Sequence, residues 1–158
     1  MGSKPRLVFF EDLHVGMEMW GTQETADRDE MVAYAERYDP WLMHLSDEGA
    51  SRTPFGRLTA SGGYTIGLWY RSGHGIWHRN DWTVAFLGSL SWHVEFPRPL
   101  HPDEVVRTRS VITHMRLSSK PGRGVVSHTS DLVGTAGETF LTVDVVFLIA
   151  TRPVTGAG

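Results

Sequence analysis

The stretch SGGYTIGLWYRSGHGIW, from Ser61 to Trp77, decides the fold of this 158-residue chain. Its large apolar side chains recur at helical spacing and Ser61 is a suitable N-cap, so the pattern predicts a helix that begins near Ser61. The stretch also contains glycines that lower its helix propensity, which means that packing against the rest of the fold must hold the helix. Glycines let another backbone approach closely, which favours a sheet wrapped around this helix. They include Gly62, Gly63, Gly67 and Gly73.

After Trp82 the hydrophobic pattern changes to a period of two, which is typical of strands. Apolar residues alternate with polar ones from Leu90 to Phe96 and predict one half-buried strand. The last run, TFLTVDVVFLIA, is apolar enough to be a central strand buried on both faces. One helix and four or five antiparallel strands predict an α+β fold in which a curved sheet wraps a long central helix. That last run covers residues 139–150, and the other predicted strands cover 105–113 and 125–133, with a loop at 118–124 and a turn at 134–137.

A first, shorter helix is predicted to start after Asp27 and to end before Pro40. Asp27 can cap this helix, and Glu30 gives a capping-box-like pattern. Pro40 disfavours helical geometry in Asp39, so Asp39 is predicted at the helix exit, with His44 in an irregular segment after it. One apolar stripe is predicted along the helix, formed by Met31, Tyr34, Ala35 and Tyr38.

Composition limits the classes of function. With 41% hydrophobic and 21% charged residues, the chain is predicted to form a single globular domain over 1–158, with a core at about 10–152 and flexible termini. The absence of cysteine excludes disulfides, thiol nucleophiles and Cys-ligated zinc. The net charge of -3 gives no electrostatic reason to expect nucleic acid. The longest apolar run is too short for a membrane span and no secretory signal is evident, so we expect a cytoplasmic protein.

The stretch YDPWLMH, from Tyr38 to His44, carries the first candidate chemistry. Asp and His are side chains that move protons near neutral pH. A carboxylate and an imidazole that converge on one water can remove a proton from it and deliver a proton to a neighbouring carbon. Hydration and dehydration of an activated double bond need these two steps. The alternative interpretation is that Asp39 caps a turn and His44 fills a surface pocket, since Asp-Pro turns are common.

The stretch TASGGY, from Thr59 to Tyr64, carries the second candidate chemistry. Backbone N–H groups at a glycine-flanked helix start point outward, with the positive end of the helix dipole behind them. Such a place can hold a developing oxyanion, for example the carbonyl oxygen of a thioester that becomes an enolate. The alternative is that the glycines serve close packing only.

Four segments resemble, in this order, the MaoC-like hydratase/dehydratase family: FFEDLHVGMEM, YDPWLMH, PFGRLTASGGYT and LSWHVEFPRPLHPDEVVRTRSVI. The resemblance covers roughly Phe10 to Arg152. This family includes R-specific enoyl-CoA hydratases. Its fold is the hotdog, a long central helix wrapped by an antiparallel sheet, here with a short extra helix before the catalytic loop. The resemblance therefore implies the same architecture as the hydrophobic pattern.

By this resemblance Asp39 and His44 are the water-activating pair, and the Gly62 N–H is the donor to the thioester carbonyl. The family usually has an amide and a proline where this chain has Trp41 and Leu42. The bulk of Trp41 suggests a short, branched or otherwise unusual acyl group. The resemblance implies no metal, and no cofactor other than the coenzyme A of the substrate. The expected substrate pocket is lined by Trp41, Met43, Phe55 and Ser61.

Two basic residues of the 118–124 loop, Lys120 and Arg123, are candidates for contact with the phosphates of coenzyme A, although basic hairpin loops are commonly just solvated. His74 and His78 have a spacing that could bind zinc. No glutamate stands beside His74 and no third ligand is evident, so surface histidines are the preferred interpretation. The resemblance also implies an acyl-CoA or acyl-carrier thioester as partner, and a homodimer that pairs its sheets edge to edge.

Two other functions remain open from the sequence. In a hotdog thioesterase, water would attack the thioester carbon and not the β-carbon. In a non-catalytic acyl-CoA-binding subunit of a larger hotdog assembly, the altered WLM segment would reflect loss of turnover. The spacing of Asp39 and His44 favours the hydratase over the thioesterase.

Overall fold

A five-stranded antiparallel sheet packed on one long helix forms the core of the protein. The computed structural model describes residues 4–78 and 81–153. The large sheet has the strand order β2-β5-β6-β7-β4, and β1 pairs with β3 in a small parallel sheet. The predicted α+β arrangement is thus confirmed. The strands are β1 Arg6–Val8, β2 Glu18–Thr25, β3 Trp82–Val84, β4 Phe86–Glu95, β5 Val105–Leu117, β6 Arg123–Gly134 and β7 Thr139–Ala150. The helices are α1 Arg28–Tyr38, α2 Leu42–Leu45, α3 Asp47–Ser51 and α4 Gly62–Trp77, with a 3-10 turn at Phe10–Asp12.

No helix within the described ranges is long and apolar enough to cross a lipid bilayer. The flexible termini expected from the sequence fall mainly on residues 1–3 and 154–158, which lie outside the described part of the chain.

The long helix α4 begins where the sequence predicts. Ser61 is its N-cap, and the Ser61 hydroxyl accepts a hydrogen bond from the Gly63 N–H at 3.2 Å. Leu68, Trp69 and Ile76 are at most 7% exposed and belong to the buried face of the helix. Because its glycines disfavour a helix in isolation, this apolar burial is what stabilises α4.

The closest approach between sheet and helix depends on a glycine of the sheet. A side chain on Gly21 of β2 would overlap the backbone carbonyl of Ser72 in α4. The Ser72 hydroxyl fixes this contact, since it donates to the Thr22 carbonyl at 2.5 Å and accepts from the Thr108 N–H at 2.8 Å. Gly67 of α4, in contrast, faces open space. The predicted packing role is therefore wrong for Gly67, and the sequence pattern does not reveal Gly21.

Two predictions about strand burial are wrong. β7 is not buried on both faces: Val143 and Val145 are buried, whereas Asp144 between them is exposed, because α4 covers only one face of the sheet. β4 is not half-buried either, since Leu90 and Trp92 remain 56% and 37% exposed. β4 is an edge strand that pairs with β7 on one side only. Alternation alone does not distinguish an edge strand from an interior one.

The helix α1 starts after Asp27, whose carboxylate accepts from the Glu30 N–H at 2.9 Å as expected. Glu30 does not complete a capping box. Its carboxylate instead accepts from the Tyr64 hydroxyl at 3.1 Å, and the Tyr64 oxygen accepts from the Asp27 N–H at 3.2 Å. Burial raises the pKa of Tyr64 to about 12, so the phenol stays protonated and links α1 to α4. Met31 and Ala35 of the predicted stripe are buried.

Replacement of Gly21 by alanine is expected to destabilise the fold, because the added carbon pushes β2 away from the backbone of α4. We expect the free energy of unfolding to fall by about 2 kcal/mol, measured by urea denaturation. Gly67→Ala is the matched control: its side chain enters open space on α4 and should stabilise the protein by about 1 kcal/mol. Equal effects of the two substitutions would contradict this account of the contact.

Candidate active site

Three segments of the chain meet at the amino end of α4. The helix α1 ends at Tyr38, and Asp39 follows as its C-cap, as predicted. His44 does not lie in an irregular segment but in the four-residue helix α2. That prediction is wrong because one turn of helix is too short to show a periodic pattern. Tyr38, expected in the buried stripe of α1, is 62% exposed.

The buried hydroxyl of Ser61 connects Asp39 to the start of α4. It donates to Asp39 Oδ2 at 2.8 Å and accepts from the Gly63 N–H at 3.2 Å. Ser61 is 1% exposed, so water does not compete for these bonds. The carboxylate therefore lies beside the amino end of α4, where the helix dipole is positive.

A hydrogen bond fixes the tautomer of His44. Its Nδ1 lies 2.8 Å from the carbonyl oxygen of Thr59, and a carbonyl only accepts, so Nδ1 carries the proton. In the neutral ring Nε2 is then a free acceptor, and it lies 3.7 Å from Asp39 Oδ2. The side chains of His44 and Asp39 are 12% and 32% exposed. The pair is thus shielded but reachable from solvent.

The 3.7 Å separation between His44 Nε2 and Asp39 Oδ2 is too long for a direct hydrogen bond. Both atoms are acceptors, so one water molecule can donate an O–H to each of them. A water in that position is polarised toward hydroxide and has a proton acceptor within reach. The geometry therefore leaves room for one water bound by both side chains.

The backbone N–H of Gly62 is the first of α4 and has no hydrogen-bond partner within the described residues. A side-chain carbon on Gly62 would lie 3.0 Å from the ring of Phe96, so this ring packs directly over the glycine. Gly62 is half-buried, and Phe96 is 50% exposed. The N–H is thus available to an oxyanion beside an aromatic wall.

Backbone contacts hold the segment that carries Thr59. The Met43 carbonyl accepts from the Thr59 N–H at 3.0 Å, and Asp47 accepts from the Leu58 N–H at 2.9 Å. This bond from Leu58 is the main cause that lowers the pKa of Asp47. On the other side His101 donates from Nδ1 to the Leu58 carbonyl at 2.8 Å.

Sequence reasoning missed Thr59, His101 and Phe96, and it assigned Ser61 to the pocket lining. Thr59 acts through its own backbone carbonyl and His101 through the carbonyl of Leu58. Backbone carbonyls leave no signal in a pattern of residue types. Phe96 falls within the predicted strand alternation and is brought to Gly62 only by the position of β4.

Trp41 and Phe55, two of the expected pocket residues, are 65% and 45% exposed in the single chain. Trp41 is the N-cap of α2, and its carbonyl accepts from the His44 N–H at 2.8 Å. Met43 is half-buried next to His44. Their role in an acyl pocket stays a prediction.

Lys120 and Arg123 lie at the hairpin between β5 and β6. This hairpin follows the carboxyl end of β5, whose 13 residues span about 40 Å when extended. Contact of Lys120 and Arg123 with the phosphates of coenzyme A, from the same chain or from a second one, stays a prediction.

The rings of His74 and His78 are 5.2 Å apart. Within the described ranges, no group of three or more His, Cys, Asp or Glu side chains is arranged to hold a metal ion.

Known proteins share this fold and parts of this sequence. A family model described as MaoC like domain matches residues 14–133. The chain is 44% identical over 64 residues, 40% of each protein, to the 3-hydroxybutyryl-CoA dehydratase of Methylorubrum extorquens. It superimposes on a MaoC-like dehydratase from Rhodospirillum rubrum with a TM-score of 0.84 and 24% identity, over 93% of this chain and 99% of the other. It also superimposes on the (R)-hydratase from A. caviae with a TM-score of 0.61 and 21% identity, over 90% of this chain and 99% of the other.

The helix, the sheet and the solved structures of similar fold define a hotdog-fold protein, as predicted. The chain belongs to the MaoC-like dehydratase family, whose model spans both the Asp39–His44 segment and the start of α4. The chain aligns with only 40% of the length of the curated dehydratase.

The double role of Ser61 makes its replacement a test of the site. Ser61→Ala removes both the helix cap and the buried donor to a carboxylate, so we expect a loss of about 2 kcal/mol in the free energy of unfolding. Ser46→Ala is the matched control, since Ser46 caps α3 through the Gly49 N–H at 2.9 Å and should cost only about 1 kcal/mol. Equal losses in urea denaturation would show that the bond to Asp39 contributes nothing.

Proposed function

We propose that this protein hydrates 2-enoyl thioesters and, in reverse, dehydrates 3-hydroxyacyl thioesters. The observation that carries the proposal is the pair of acceptor atoms, His44 Nε2 and Asp39 Oδ2, 3.7 Å apart beside the start of α4, with Oδ2 also accepting from the Ser61 hydroxyl. The similarity to a 3-hydroxybutyryl-CoA dehydratase supports the same reaction type and a short acyl group.

In the proposed hydration a water held between His44 and Asp39 adds to the β-carbon of the double bond. As the C–O bond forms, the pair accepts one proton of the water, and the electrons of the double bond move toward the thioester oxygen. The enolate then takes that proton at its α-carbon, and one water has been added in full. The two groups are close enough to titrate as a coupled pair.

The start of α4 supplies the second half of the chemistry. The Gly62 N–H, with the helix dipole behind it, donates to the thioester oxygen where negative charge accumulates. The Ser61 hydroxyl binds both Asp39 and the first turn of α4, so the base and the oxyanion donor are held on one frame. Preorganised donors of this kind contribute about 10²–10³ in rate.

A homodimer formed through β4 is part of the proposal. An unpaired apolar edge is a template for another strand, whereas charge on an edge prevents such pairing. The opposite edge, β2, is polar and carries Glu18 and Glu24. Pairing through β4 would also cover Phe96 beside Gly62. The exposed apolar side chains of β4 and the residue after it are 37% to 56% exposed: Phe86, Leu87, Leu90, Trp92 and Phe96.

The reaction is tested with crotonyl-CoA by the absorbance of the enoyl thioester. The wild-type protein should consume this band and form 3-hydroxybutyryl-CoA, and Asp39→Asn should lower kcat by at least about a hundredfold, because the pair loses its carboxylate. Asp29→Asn, on the exposed first turn of the same helix, should keep full activity.

Release of free coenzyme A in place of hydration would support a thioesterase. Binding of crotonyl-CoA and of longer or branched enoyl thioesters without any turnover would support a non-catalytic subunit. Either result would overturn the proposed hydratase.

The dimer is tested by Leu90→Lys, which places a charge at the centre of the exposed edge. We expect the dimer dissociation constant, measured by analytical ultracentrifugation, to rise at least about tenfold, since each two-fold interface would contain two such lysines. Leu117→Lys, at the 65% exposed end of β5, is the control and should leave the dimer unchanged. A monomeric wild-type protein, or a dimer insensitive to Leu90→Lys, would contradict the edge pairing.

A further inference from the structure

A cavity of about 360 Å³ lies between the second half of α4 and the sheet. Its walls are mainly aromatic and come from α4, β4 and β7. Its volume is within the range of small-molecule sites, which are mostly apolar with a few polar groups. Its main walls are Trp69, Trp77, Phe86, Trp92, His128 and Phe147.

This cavity does not belong to the Asp39–His44 site. None of Asp39, His44, Ser61 or Gly62 lines it. Trp69, the first residue of α4 that does, lies seven residues after Gly62, about 10 Å along the helix. The indole of Trp69 is held by a 2.8 Å bond to the Ser130 hydroxyl and packs edge-on against Trp92, with ring centres 5.6 Å apart.

His128 gives the cavity a polar group. It is 4% exposed, and its Nδ1 lies 2.8 Å from the hydroxyl of Ser110, which is fully buried. His128 is the side-chain hydrogen-bond partner of Ser110 within the described residues, so the Ser110 proton has to point at Nδ1. Nδ1 is then the acceptor, and Nε2 carries the ring proton.

The Nε2–H of His128 has no partner among the described residues. Every fully buried side-chain nitrogen or oxygen in those residues has a hydrogen-bond partner. Because Nε2 has none, it is not fully buried, and it is accessible from the cavity that His128 lines. A buried donor without an acceptor costs free energy that a ligand oxygen would recover.

Charge narrows the class of ligand. Burial lowers the pKa of His128 to about 4, with Asp144 as the opposing influence, so the ring is neutral at physiological pH. Within the described residues, no Asp, Glu, Lys or Arg lines the cavity. Two further histidines, His74 and His78, also line the cavity, so it offers a charged ligand imidazoles but no carboxylate, ammonium or guanidinium group to offset the loss of hydration.

We propose that this cavity is a second binding site, separate from the Asp39–His44 pair, for a small neutral molecule with an apolar body and one acceptor oxygen directed at His128 Nε2. The aromatic walls bind the body, and the imidazole selects for a carbonyl, ether or hydroxyl group. The proposal does not depend on the reaction at Asp39.

Acetophenone and ethylbenzene are matched probes, because they share the aromatic ring and differ in the carbonyl oxygen. Binding is followed by the NMR signal of the Trp69 indole N–H in the full-length protein. His128→Phe keeps a ring but removes the donor, so it should weaken acetophenone roughly three- to tenfold and leave ethylbenzene within about twofold. Equal effects on both probes would overturn the role of His128.

Gly73→Leu tests the location. A Cβ on Gly73 would make only an ordinary 3.6 Å contact with Thr108, and the rest of a leucine side chain would have to occupy the cavity that Gly73 lines. Both probes should then lose binding. Gly67→Leu, in open space on the same helix, should change neither. Binding that survives Gly73→Leu, or no binding to the wild type, would overturn the proposal.

Competition separates this site from an acyl pocket. Asp39→Asn should bind acetophenone as the wild type does, whether or not hydratase activity exists. Displacement of acetophenone by 2-octenoyl-CoA would show that an acyl chain reaches the cavity, and would overturn a separate site.

Discussion

The hydroxyl of Ser61 makes two hydrogen bonds on which the candidate site depends. One goes to the carboxylate that ends α1, and the other comes from the first turn of α4. These bonds join the Asp39 carboxylate to the start of α4 across 22 residues of sequence. A nearly buried serine can do this because its single oxygen donates and accepts at once. The Asp39–His44 geometry then needs only the Thr59 carbonyl to set the histidine tautomer.

The fold separates two chemical environments along one helix. At its amino end, α4 presents free N–H groups and a polar pair to solvent. Along its second half, the same helix closes on an aromatic interior in which His128 is neutral. The first environment suits charge that develops during a reaction, and the second suits a ligand that has none. Close approach at Gly21 holds β2 against this half of the helix.

The edge strand β4 carries the longest run of large apolar side chains that the single chain leaves exposed. Its apolar side chains alternate as those of an interior strand would, yet they face solvent, and Trp41 and Phe55 near the site do the same. A second copy paired with this edge would bury the exposed side chains of β4. It would also cover the side of the site on which Phe96 lies. The exposure of the predicted pocket residues is thus consistent with a site that two chains complete.

The sequence by itself determined the α+β class, the N-cap at Ser61 and the end of α1 at Asp39. These depend on neighbours a few residues away, through capping, proline geometry and periodicity. Only the tertiary structure decided that Ser61 binds Asp39, that Phe96 lies on Gly62 and that β4 is an edge. It also showed Gly21, not Gly67, at the closest helix–sheet contact. Each of these is a contact between residues distant in sequence or an effect of strand order, and no local pattern encodes which distant atoms will meet.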